Sequence, residues 1–150
     1  MMPNRPIHLA AAIPAGTIMA AHKARSFNGL QYLSEVAGGA LGGTIGGLGP
    51  NWVDPPTSPG DRGIGHSAAV SCVLTGPAYQ RIDTWQAWLR HEAAKLQRLQ
   101  NVTIDPLVRA FYGMCYAVIC VLSGAIAGFV AGWGSHLVLD FGTARSLSLI

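Results

Sequence analysis

Charge is what this chain of 150 residues has least of: Asp, Glu, Lys and Arg together make up 11% of it. Soluble domains carry about 25%, so there are too few charged side chains here to cover an ordinary water-facing surface. Cysteine is also scarce. The three residues, Cys72, Cys115 and Cys120, are odd in number, lie in apolar segments and form no CxxC pair. Neither a disulfide framework nor a zinc–cysteine site is indicated, and small buried hydrophobes are expected instead. Basic clusters interleaved with aromatics are missing, and the net charge is only +3. Nucleic acid is therefore not an expected partner.

Hydrophobicity takes the place of charge. Half of the residues are apolar, the mean hydropathy is +0.33, and there are 19 glycines. Glycine-rich apolar composition fits membrane helices, where small residues let backbones approach closely. One unit over residues 1–150 is expected, a single membrane-embedded helical domain with the lipid bilayer as its surroundings. Arg5 followed by apolar residues to Ala21 has the pattern of a signal peptide, but is read here as the first helix.

Four apolar segments stand out: Pro6 to His22, Tyr32 to Leu48, His66 to Tyr79, and Leu107 to Leu139. Only the last clearly exceeds the roughly 20 residues that a span requires. Gly38, Gly42 and Gly46 recur every fourth residue, as do Gly39, Gly43 and Gly47, and Gly124, Gly128 and Gly132. Such stripes are packing faces. Between the third and fourth segments, Ile82, Trp85, Leu89, Leu96 and Leu99 recur at helical spacing opposite Arg90, Lys95 and Arg98. This predicts an amphipathic helix on the membrane surface, with Trp85 and Trp88 at headgroup depth; a cap packed on the bundle is the alternative. The fold class expected is all-α, an integral membrane bundle of about four membrane-embedded helices plus one amphipathic surface helix.

The last glycine stripe continues into "SHLVLD", where His136 and Asp140 stand one turn apart on one helix face. They are either metal ligands, an acid–base pair, or the frayed end of a helix. If all four segments cross in alternation, His8, Asp54, Asp61, His66, His136 and Asp140 come to one side of the membrane. Histidines with carboxylates form a donor set suited to Zn, Mn or Fe and able to activate a water. Lys23, Arg25, Arg81, Arg90, Lys95 and Arg98 gather on the opposite side, so the positive-inside rule points the cluster away from the cytoplasm.

Three stretches, "PIHLAAAIPAG", "GPNWVDPPTSPGDRGIGHS" and "AGWGSHLVLDFGTARSLSLI", resemble the YdjM-like membrane-bound metal-dependent hydrolases, small multi-helix inner-membrane proteins of bacteria. The resemblance implies metal ligands at His8, Asp54, His66, His136 and Asp140, with a divalent metal such as Zn or Mn as cofactor. Asp61 or a ligand carboxylate would serve as general base, and Arg62 would steady an anionic group. The chain departs from the family pattern at Asn51, where an acid is usual, and at Asp61, where a histidine is usual. Two functions follow as expectations. One is a hydrolase using a metal-activated water, acting on a lipid or another phosphoester or ester at the membrane surface. The other is a non-catalytic membrane subunit that packs on a larger complex through its glycine faces.

Overall fold

The computed structural model describes residues 5–27, 29–53 and 68–141. It is all-helical, with α1 over Arg5–Lys23, α2 over Gly29–Val53, α3 over Ala68–Val102 and α4 over Pro106–Phe141. Local chemistry sets the boundaries. His22 and Lys23 occupy the last turn of α1, where positive charge complements the helix dipole. Gly29 opens α2 at φ 59°, in the left-handed region that a side chain disfavours. Asp105 caps α4: its Oδ1 accepts hydrogen bonds from the amides of Leu107 (2.8 Å) and Val108 (3.2 Å). Pro106, which has no amide proton to satisfy, takes the first helical position.

Glycine decides how α2 and α4 meet. A Cβ on Gly38, Gly42 or Gly46 would overlap the backbone of Val121, Ala125 or Phe129, respectively. A Cβ on Gly124, Gly128 or Gly132 would overlap the backbone of Glu35, Gly39 or Gly43. Numbers rise together along both helices, so α2 and α4 run parallel with their backbones in direct contact. The other face of α2 receives α1 in the antiparallel sense, Gly43 against Ala12 and Gly39 against Gly16 and Ala20. α3 packs antiparallel along α4: Ile82 against Ala127 and Val130, and Ala93 against Tyr116 and Cys120. The four helices thus run up, down, up, down.

Two expectations are corrected here. Among the described residues one helix, Pro106–Asp140 of α4, is long and apolar enough to cross a membrane, where four were expected. Glycines, Gln31 and Glu35 dilute the apolar content of α2, and α3 carries Arg81, Asp83, Arg90, Glu92, Lys95 and Arg98. The amphipathic stretch is also not a separate surface helix. It is continuous with the third apolar segment inside α3, and it buries Ile82, Gln86, Leu89 and Ala93. Trp85 and Trp88 remain exposed.

The glycine contacts make a direct prediction. Gly42→Leu or Gly128→Leu should force α2 from α4 and destabilise the fold by about 3 kcal/mol or more, since overpacking of well-packed sites commonly costs about 1–3. Gly134→Leu should be nearly silent, because nothing lies within 4 Å of a Cβ there. Thermal melting of the three variants in detergent checks this, and equal losses would remove the close-contact account.

Candidate functional site

At the end of the bundle where α1 begins and α4 ends, His8, His136 and Asp140 come together. All three are buried, with relative exposures of 5%, 0% and 1%. His136 and Asp140 are therefore not a frayed helix end. His8 Nε2 lies 3.5 Å from Asp140 Oδ1, and His136 Nε2 lies 3.4 Å from Asp140 Oδ2. The two imidazoles stack with centroids 4.0 Å apart and planes inclined by 20°. Direct charge-assisted hydrogen bonds are shorter, about 2.7–2.9 Å.

Such a group is also compatible with a shared ion. Nitrogen and oxygen ligands about 2.1 Å from one tetrahedral metal stand about 3.4 Å from each other. One donor atom from each of His8, His136 and Asp140 lies within 4.8 Å of the others, and the group could hold a metal ion. The backbone supplies orientation. His136 Nδ1 donates to the carbonyl of Gly47 at 2.6 Å, which in the neutral ring directs the Nε2 lone pair toward Asp140. A second hydrogen bond that fixes tautomer and ring angle is the usual support of a metal-binding histidine. This contact depends on the parallel helix pair. Gly43 and Gly132 bring the backbones together one turn earlier, and Gly47 and His136 follow in register.

Of the residues expected at the site, His8, His136 and Asp140 are thus assembled from two helices at opposite ends of the sequence. Asp54, Asp61, Arg62 and His66 lie outside the described residues. Asn51 is half-buried in the last turn of α2. The Gly47 carbonyl could not be anticipated, because a backbone acceptor leaves no mark in residue type.

A second polar group escaped the sequence reading altogether. Glu35, fully buried, is held by Arg90 through Nε to Oε1 at 2.9 Å and through Nη2 to Oε2 at 2.5 Å. Gln31 Nε2 also donates to Glu35 Oε1 at 3.2 Å, and Arg90 Nη2 to the Lys23 carbonyl at 3.1 Å. The guanidinium stands 4.9 Å over the Phe27 ring. Arg90 therefore fastens the α1–α2 turn to α3, near the level of Gly124 on α4. From Gly124 to Asp140 is about 24 Å along the helix, so this ion pair is remote from the histidine cluster and serves as structure. The one available signal was that Glu35 is the sole charged residue in α2.

The chain matches no family model, no curated protein and no solved structure. The site must be understood from its own geometry.

Removing Arg90 tests the buried pair. Arg90→Ala leaves a buried carboxylate without its cation, a loss of about 3 kcal/mol. Arg90→Lys should recover only part of it, because an ammonium cannot grip both carboxylate oxygens in the same fork. Denaturant unfolding in detergent reads both values, and an Arg90→Ala variant as stable as the parent would contradict the role given to the pair.

Proposed function

We propose that the protein is a membrane-bound metal-dependent hydrolase, anchored in the bilayer by α4, with His8, His136 and Asp140 as metal ligands. The observation that carries this reading is the spacing of the donor atoms, 3.4 and 3.5 Å around one carboxylate, together with the hydrogen bond that orients His136. Two imidazoles and a carboxylate suit Zn or Mn and leave coordination positions for water and substrate. When bound, such an ion supplies Lewis acidity and an activated water. The protein's own part is to hold three buried donors together and to set the direction of His136. Asp54 and His66 complete the ligand set that the family resemblance implies, Asp61 is the general base and Arg62 holds an anionic substrate group. The substrate class is a lipid or another phosphoester or ester at the membrane surface, in the inner-membrane setting that the resemblance implies.

The reading as a non-catalytic subunit relies on glycine faces offered to a partner. Gly38, Gly42, Gly46, Gly124, Gly128 and Gly132 all pack within the chain, and this favours the hydrolase.

Calorimetric titration of the metal-free protein with Zn or Mn tests the proposal. The wild type should take up metal. Asp140→Asn and His136→Ala should each weaken binding by more than about 100-fold, the upper end of what is lost when only a supporting residue is removed. The double variant should add little, because the two ligands act as a unit. Metal-dependent cleavage of a chromogenic ester or phosphodiester should disappear in both single variants. Affinity unchanged in both would contradict the assignment, and metal binding without cleavage would contradict the hydrolytic step alone.

A further inference from the structure

Midway along the α3–α4 seam lie two polar side chains that neither the candidate site nor the Glu35–Arg90 pair uses. Gln86 of α3 and Ser123 of α4 are both fully buried. Gln86 Nε2 donates to the Ser123 carbonyl at 2.9 Å, which ties the amide to this one residue. Gln86 Oε1 and Ser123 Oγ, by contrast, have no hydrogen-bond partner among the described residues. Buried polar atoms in native folds are nearly always satisfied, because an orphaned one forfeits the hydrogen bonds it made to water.

Three other helical hydroxyls find a partner on their own helix. Thr17 donates to the carbonyl of Ile13 at 2.7 Å, Thr44 to that of Ala40 at 2.8 Å, and Ser135 to that of Gly132 at 2.8 Å. Each satisfies itself on its own helix. Ser123 does not, although the same option is open to a serine inside a helix. Its hydroxyl and the Gln86 carbonyl oxygen flank a single hydrogen bond, one able to donate and the other only to accept.

We propose that Gln86 and Ser123 bind one water molecule inside the bundle, which accepts from the Ser123 hydroxyl and donates to Gln86 Oε1. Internal waters of this kind satisfy otherwise unpaired polar atoms and need two or more polar partners. The water joins α3 to α4 at the middle of a seam whose flanking contacts, Ile82–Ala127 and Ala93–Cys120, are apolar.

The test is magnetic resonance of the full chain in detergent, recording magnetisation transfer from water to the Gln86 side-chain amide protons. Wild-type protein should show transfer of the sign given by a long-lived bound water, and Ser123→Ala should lose it. Absence of transfer in folded wild-type protein would overturn the proposal, as would a crystal structure in which Ser123 Oγ donates to the Ile119 carbonyl with no water beside Gln86. Stability supplies a second reading. Ser123→Ala alone should lower the melting temperature, whereas Gln86→Leu with Ser123→Ala should restore it or raise it, because both polar groups are then gone. A double variant less stable than Ser123→Ala by the full sum of two independent losses would count against a shared water.

Discussion

Backbone contact between α2 and α4 is the constraint on which the rest depends. Two glycine-striped helices lie parallel, so close that a methyl group at Gly42 or Gly128 has nowhere to go. Isolated glycine helices are poor, each Gly being about 1 kcal/mol worse than Ala. What compensates is the length of close contact, where many small dispersion gains add along the pair. α1 settles on the second glycine face of α2, and α3 packs along α4. Every helix touches this pair.

The candidate site follows from the same contact. The stripe on α4 runs Gly124, Gly128, Gly132 and then His136 and Asp140. Where the glycines stop, large polar groups occupy the positions that face the packed interior. His136 meets the Gly47 carbonyl because the two backbones are already in register. His8 meets Asp140 because α1 packs antiparallel on α2 and so begins where α4 ends. Burying two imidazoles and a carboxylate is unfavourable unless they are mutually compensated or bind a cation. One donor atom from each of the three lies within 4.8 Å of the others, so the group could hold such a cation.

Much of this was legible in the sequence, and the parts that were not have physical reasons. α1, α2 and α4 follow their apolar segments closely, since length and hydropathy mark them. The one-turn spacing of His136 and Asp140 marked the candidate group, and the alternating direction of the apolar segments brought His8 to the same end. α3 was divided into two elements because composition changes from apolar to charged near Arg81. Yet the backbone continues as one helix through both. Helicity persists where a helix has a partner along its length, whichever side of it is polar. Arg90 was assigned to solvent by its position opposite the apolar stripe. Its long side chain instead reaches Glu35, and periodicity has no means to register reach. Four crossing helices were expected from gross composition, whereas glycine makes a helix small without making it strongly apolar.

The most direct test of the account is anomalous diffraction at the zinc edge from crystals of the zinc-soaked protein. A single strong peak within bonding distance of His8 Nε2, His136 Nε2 and the Asp140 carboxylate is the result the account predicts. A peak elsewhere, or no peak at the cluster with direct hydrogen bonds closing His8 and His136 onto Asp140, would contradict it.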